Sequence, residues 1–215
     1  MLRFSLISGR CSYIVLLVQI GRGVQRELVI RMTDAAYHRI QFRTNIRKAL
    51  EVILWCADKR GAVDFHTVLK VLFGADLFHL NEYGRPIVGD TYNALPYGPV
   101  PQTTYDLLKR EPLALEELGT AKLPFEVEGY TVRPERGPDL TVFSRSDLEA
   151  LENGWKRFGA LGFSARTHES HQHAAWRNAF EAGRQGMDYA DFLEGENATP
   201  EAIADLAEVA SDLRL

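Results

Sequence analysis

From Ile46 the apolar residues Ile46, Ala49, Leu50, Ile53, Leu54 and Ala57 recur at i, i+3, i+4, i+7, i+8 and i+11, the spacing of a helix with one buried face. Thr44 or Asn45 can cap its start, and Gly61 ends it. A second helix opens at Asp64 as N-cap and carries Phe65, Val68, Leu69, Leu72, Phe73, Leu77 and Leu80 before Gly84. Val71 and Phe78 fall off that stripe. The helix is therefore apolar on more than one side and belongs at the centre of a core rather than on its surface.

Residues 84–101 are broken by glycine and proline too often for a regular helix, and we read them as extended chain with tight turns. Pro101 suits the first turn of a helix through Tyr105, Leu107 and Leu108 to about Glu111. Between residues 124 and 143 the period changes to two. Phe125 and Val127 alternate with Glu126 and Glu128, then Tyr130 and Val132 with Thr131 and Arg133, and the phase slips at Gly129, which reads as a bulge. Pro134 to Asp139 reads as a turn and Leu140 to Phe143 as a returning strand. Helices resume after Ser144, where Asp147 completes an approximate capping box ahead of Leu148, Leu151, Trp155 and Phe158. Ser164 is the expected cap of a short helix, and Trp176, Ala179, Phe180 and Gly183 share a face of another. Thr199-Pro200-Glu201 starts a last, acidic helix. The expected class is mainly α (α+β): a compact helical domain with a small antiparallel β-hairpin or meander.

The beginning of the chain differs in character. Residues 1–31 hold an apolar run from Tyr13 to Ile20 behind Arg3 and Arg10. It is far shorter than the roughly 20 residues that span a bilayer, and no small-x-small cleavage site follows it. The segment has arginine but no lysine, and Met32-Thr-Asp-Ala-Ala after it looks like a protein start. We expect residues 1–31 to be a non-native or disordered extension, 32–192 the domain, and 193–215 an acidic C-terminal helix.

With 215 residues, 46% hydrophobic and 25% charged, the chain can bury a core and is neither disordered nor collagen-like. The formal net charge is −4, of which +4 lies in the first 31 residues, leaving −8 on residues 32–215. Proteins that bind duplexes usually present a basic surface, so nucleic acid is a poor partner for this acidic body. Cys11 and Cys56 are the only cysteines, too few for a disulfide framework or a four-thiolate zinc site. A reducing, cytoplasmic setting fits, with Cys56 as a small core residue.

His168, His171 and His173, with Glu169 between them, form the densest group of ligand-type side chains. On a helix His168 and His171 share a face and could hold a zinc ion, while His173 points elsewhere. Their spacing is not the i, i+4 pair of a metalloprotease helix. Gly84, Gly89 and Gly98 match no phosphate-cradling loop, and no G-x-S-x-G elbow exposes a serine. Asp58, Asp64, Asp76 and Asp90 sit near helix ends or turns, where capping accounts for them. No catalytic residue, metal or cofactor is assigned. Tyr92, Tyr97 and Trp176 are either core aromatics or exposed anchors of a protein interface.

The run Val68-Leu-Lys-Val-Leu-Phe-Gly-Ala-Asp, followed by Tyr83-Gly-Arg-Pro-Ile-Val-Gly-Asp-Thr-Tyr-Asn-Ala-Leu-Pro-Tyr-Gly-Pro-Val-Pro, closely resembles the signature of the Panacea domain, the SocA-like antitoxin domain of bacteria and phages. Arg136-Gly-Pro-Asp-Leu, Phe143-Ser-x-Ser-Asp-Leu-x-x-Leu, Ser170-His171, Ala175-Trp176-Arg177 and Met187-Asp-Tyr continue it in order, so the resemblance covers residues 46–192. Lys70-Val-Leu-Phe stands where the family has Lys-Leu-Leu-Tyr, and His171 fits the motif better than His168 by its spacing to Trp176.

The resemblance implies a mainly helical, non-enzymatic antitoxin that binds and neutralises a toxin encoded by a neighbouring gene, without membrane or cofactor. Its motif positions, carried over as partner-contact candidates, are Gly84, Arg85, Asp90, Tyr92, Tyr97, Gly98, Pro99, Val100, Pro101, His171 and Trp176. The family is associated with many toxin types, so the toxin is not identified. Two alternatives are an adaptor that delivers the toxin to a cytoplasmic AAA+ protease through a flexible acidic tail after Gly186, and a phage-associated accessory protein. A hydrolase with a metal on His168 and His171 is the third.

Overall fold

The computed structural model describes the backbone of residues 4–6, 13–20 and 24–31 and, in full, residues 39–213 and 215. The chain divides into two units, residues 1–38 and 39–215. In the first, β1 (Phe4–Leu6), β2 (Tyr13–Ile20) and β3 (Val24–Arg31) form an antiparallel sheet in the order β1-β2-β3. Tyr13 lies opposite Arg31 and Ile20 opposite Val24, so the apolar run read from the sequence is a strand. The expected start at Met32 lies outside the described residues.

The second unit is built around two helices whose ends the sequence marks. α1 (Ile46–Asp58) is capped by Asn45, whose side chain accepts from the Lys48 N–H at 3.1 Å. α2 (Phe65–Tyr83) starts at Asp64, which accepts from the Thr67 N–H at 2.9 Å, and stops at Gly84 with a left-handed φ of 70°. The double-sided stripe of α2 places it where the pattern puts it: Val68, Val71, Leu72, Phe73 and Ala75 are wholly buried. Against it crosses α5 (Arg145–Gly154), capped by the expected box in which Ser144 and Asp147 bond each other's backbone N–H. A side chain on Gly154 would place its Cβ 2.3 Å from the Val71 carbonyl oxygen, so the close crossing of α2 and α5 depends on glycine there. A five-residue π turn, Trp155–Gly159, extends α5 and sends Phe158 into the core.

Around this pair lie α3 (Gln102–Lys109), α4 (Pro112–Leu118), α6 (Phe163–His171), α7 (Ala174–Glu181) and α8 (Pro200–Asp212). β5 (Tyr92–Leu95) and β6 (Gly98–Pro101) form one hairpin. β4 (Val63–Asp64), β7 (Phe125–Glu128) and β8 (Thr131–Pro134) form a small sheet in the order β4-β8-β7. The protein is mainly α with small antiparallel β parts.

Five local readings change. Gly129, with φ of 60°, is not a bulge but part of the turn between β7 and β8, which pair Glu128 with Thr131. Leu140–Val142 is a 3-10 turn rather than a returning strand, because Asp139 accepts from the Thr141 N–H and hydroxyl and so diverts the backbone from sheet pairing. The third strand is instead β4, with Val63 opposite Val132. α6 begins after Gly162 rather than at Ser164. The segment after Gly186 is not a flexible tail at its start: Met187, Tyr189 and Phe192 are core residues, and the Tyr189 hydroxyl donates to the Asp90 carbonyl at 2.8 Å.

Candidate functional site

The signature run Ala94-Leu-Pro-Tyr-Gly-Pro-Val folds into the β5–β6 hairpin, with Leu95 opposite Gly98. Pro96 fixes the backbone at the start of the turn, and Gly98, at φ 97°, takes the position closed to other residues. Tyr97 is left at the tip, 63% exposed. The base of the hairpin is anchored by two buried carboxyls. Asp90 accepts from the N–H groups of Thr103 and Thr104 and from the Thr104 hydroxyl, each at 2.8 Å. It thereby caps α3, whose own N-cap residue, Pro101, has no side-chain acceptor to offer. Asp76 accepts from the Ile87 N–H at 2.7 Å and from the Tyr92 hydroxyl at 2.8 Å. Burial pushes the Asp76 carboxyl up to about 7, since these neutral donors only partly offset it. Burial likewise raises Asp90.

Two long side chains grip the hairpin carbonyls from either side. Lys70 of α2, wholly buried, donates to the Pro99 carbonyl at 2.8 Å. Burial, helped by the charge of Arg166, lowers its amine to about 7. Trp176 of α7 donates from its indole N–H to the Leu95 carbonyl at 2.9 Å. Gly98 fits between the first of these and α6: a Cβ there would lie 2.4 Å from the Ser170 hydroxyl and 2.8 Å from Lys70 Cε. On its open side β5 is extended by the segment around Gly186, through Ala94 N–H to the Gln185 carbonyl (2.7 Å) and Met187 N–H to the Tyr92 carbonyl (2.9 Å).

Around this clasp the structure leaves aromatic faces open. Phe163, 51% exposed, lies 5.4 Å from the Tyr97 ring and 4.3 Å from that of His66. Arg166 donates to His66 Nδ1 (3.2 Å) and to Asp64 (2.9 Å), so the His66 proton sits on Nε2 and points at the Tyr97 carbonyl, 3.3 Å away. Burial, and next the charge of Lys70, lower His66 to about 4, which keeps it neutral at physiological pH. On the other flank, His171 stacks on Trp176 (3.6 Å, 6°) and Trp176 on Phe180 (4.5 Å, 18°), with Phe180 42% exposed. The result is a rigidly backed, uncharged aromatic surface carried by a hairpin tip.

A second polar centre supports the loop that leads into the hairpin. Asp147 of α5 is closed off from solvent and accepts from Lys48 (2.9 Å), Arg85 (2.9 Å) and the Ser144 N–H (2.9 Å). His79 Nε2 lies 3.2 Å from it, while the same ring donates from Nδ1 to the Arg85 carbonyl at 2.7 Å. Burial pushes this carboxyl up, but the bonds from His79, Lys48 and Ser144 outweigh it and hold it well below the usual range.

The carried-over residues thus fall into three groups. Asp90, Tyr92, Gly98, Pro99, Val100 and Pro101 are buried and shape the hairpin, and Trp176, nearly buried, clamps it. Gly84 ends α2, and Arg85 serves the Asp147 centre. Tyr97 faces outward, and His171 is half-buried with its Nε2 closed off from solvent. Sequence reasoning did not single out Lys70, Asp76, His79, Asp147, Arg166 or Ser170 as site-forming. A lysine inside the apolar stripe of α2 was the available signal. His168 is exposed, with its Nε2 3.5 Å from the Gln172 amide. His173 caps α7 through Nδ1, with Nε2 2.6 Å from Glu194. Among the described residues no three His, Cys, Asp or Glu side chains are placed to share a metal ion. None of the helices among them is long and apolar enough to cross a membrane.

A family model described as antitoxin SocA-like, Panacea domain, matches residues 68–177, a span that begins just before Lys70 and ends just after Trp176. A search of curated proteins and one of solved structures return no match. The matched span is half of the chain and contains both clamps, the hairpin and the Ser170-His171 pair, and the chain belongs to the SocA-like antitoxin family with a Panacea domain.

Proposed function

We propose that this protein is an antitoxin that neutralises a toxin encoded by a neighbouring gene through direct protein–protein binding, and that the toxin docks on the hairpin tip and its aromatic surround. Family membership supports the toxin–antitoxin role. The observation that carries the surface is Tyr97: it is 63% exposed at the end of a hairpin whose Leu95 and Pro99 carbonyls are held by Trp176 and Lys70. Exposed, rigidly held aromatics are the residue type that dominates interface energetics. A specific interface buries about 1,600 Å² in total, within reach of a domain of this size. The acidic body would speed association with a basic toxin, so raising salt is expected to slow the on-rate.

Co-expression tests this reading. The neighbouring reading frame, induced alone, is expected to arrest growth, and this chain to relieve the arrest and co-purify with the product. Tyr97→Ala combined with Phe163→Ala is expected to abolish rescue while leaving the melting temperature within a few degrees. Full rescue by that variant would place the contact elsewhere. Growth without arrest would return the chain to the accessory reading, and rescue that needs an intact protease would favour the adaptor.

A further inference from the structure

A groove of about 1030 Å³ runs over the N-terminal ends of α1 and α5, and none of its lining belongs to the hairpin face. Five cationic side chains line it, Arg47, Lys48, Arg85, Lys122 and Arg136, against three carboxylates, Glu51, Asp139 and Asp147. Lys48 and Arg85 are committed to Asp147 at the floor. Arg136 forks onto Glu51 yet keeps 43% of its side chain exposed, Lys122 pairs with Glu135 at 2.8 Å and keeps 70%, and Arg47 is exposed. On a body whose formal charge is −8, this is a local positive region at the positive ends of two helix dipoles.

The groove also holds a peptide already. Leu213 and Leu215, beyond the end of α8, line it. Asn45 donates from Nδ2 to the main-chain oxygen of Leu215 at 2.5 Å. The Leu215 side chain rests directly on Gly89 beside Phe42: a Cβ on Gly89 would come 2.6 Å from Leu215 Cδ1 and 2.9 Å from Phe42 Cβ. The site therefore offers a side-chain amide donor to a peptide main chain and a notch for an aliphatic side chain, next to solvent-facing cations. Its single aromatic lining residue, Phe143, is itself buried and offers little ring face to stack a base.

From this geometry we infer that the groove is a peptide-binding site for an extended acidic segment of a partner protein. A leucine anchors it in the Gly89 notch, its acidic side chains lie over Arg47, Lys122 and Arg136, and Leu213 and Leu215 are the resident occupants that such a segment displaces. The inference is independent of the antitoxin reading, since it uses none of the hairpin residues.

The test uses fluorescence anisotropy on the full chain with a fluorescein-labelled hexapeptide of alternating aspartate and leucine, and its lysine–leucine counterpart. The Leu213→Ser/Leu215→Ser variant, its occupant loosened, is expected to bind the acidic peptide at least about tenfold more tightly than the unaltered chain and to ignore the basic one. Adding Arg47→Glu and Lys122→Glu, both at exposed positions, is expected to cut that affinity at least about tenfold. A cooperatively melting loosened variant that shows no binding below about 1 mM, or binds both peptides alike, overturns the inference. Should the double variant not fold, Leu215→Ala alone carries the same comparison.

Discussion

Asp147 and Asp76 are both closed off from solvent, and they end in opposite states. Asp147 meets Lys48, Arg85 and the ring of His79, and stays charged far into the acid range. Asp76, one turn before His79 on α2, meets only a backbone N–H and a tyrosine hydroxyl, and its carboxyl rises to about 7. The contrast shows that burial alone does not decide the fate of a carboxyl. What decides it is whether the donors around it bring charge of their own. The charged centre ties α1, α2, α5 and the loop at Arg85 together, and the uncharged one seats the hairpin on α2.

Removing the carboxylate from the charged centre is expected to have the largest effect. Asp147→Asn leaves Lys48 and Arg85 facing a neutral amide, and urea unfolding at pH 7 should show a loss of about 3 kcal/mol, the low end for a broken buried pair because Arg85 reaches solvent. A loss below about 1 kcal/mol would mean the charges are not what joins these segments. The pH dependences should then differ in sign. The folded Asp147 carboxyl lies below its unfolded value, so its contribution is present above about pH 4 and lost as pH falls through the folded value. Asp76 lies above its unfolded value, so its contribution is full below about pH 4 and disappears as pH rises towards 7. Asp76→Asn is expected to remove a fall of about 2 kcal/mol between pH 4 and pH 7, half of what an unrelaxed shift of this size would give. An unchanged slope in that variant would assign the fall to other groups.

Lys70 gives the basic counterpart. Its folded amine titrates near 7 and its unfolded one near 10.5, so the folded state releases a proton that the unfolded chain keeps, and stability should rise with pH between 7 and 10. Lys70→Met is expected to flatten that rise and, by leaving the Pro99 carbonyl unpaired, to cost about 1 kcal/mol at pH 9. A rise that survives the substitution would separate Lys70 from it. The smallest effect belongs to an ion pair that keeps its water. Lys59 and Glu152 bond each other at the surface, and Lys59→Ala should change stability by less than about 0.5 kcal/mol in the same urea experiment.

The parts of the fold that follow from local rules were legible in the sequence. α1, α2, α5 and α8 lie where periodicity and capping residues place them, because Asn45, Asp64, Ser144 and Thr199 each bond a backbone N–H one turn ahead. α4 was missed although Pro112 and Gly119 bracket it, since a seven-residue helix shows too little period to be read. The pairing of β4 with β8 joins segments far apart in the chain, and no local pattern announces it. The candidate site divides the same way. The segment of the hairpin was legible as extended chain with tight turns, though not as a paired hairpin, and Tyr97 as an exposed anchor or a core residue. That Lys70, Ser170 and Trp176 would close on the same hairpin is a property of the crossing of α2, α6 and α7, which sequence spacing does not encode.

Met187, Tyr189 and Phe192 lie against the hairpin base and α2, in contact with Tyr92 and Phe73. These residues leave the ribosome about 90 residues after the hairpin that they complete, where domains otherwise tend to fold as they emerge. A nascent chain that has released the hairpin but not residues 185–192 has no third strand beside β5 and lacks the Phe192 ring that packs on Phe73. The hairpin face is therefore assembled only once residue 192 has been released.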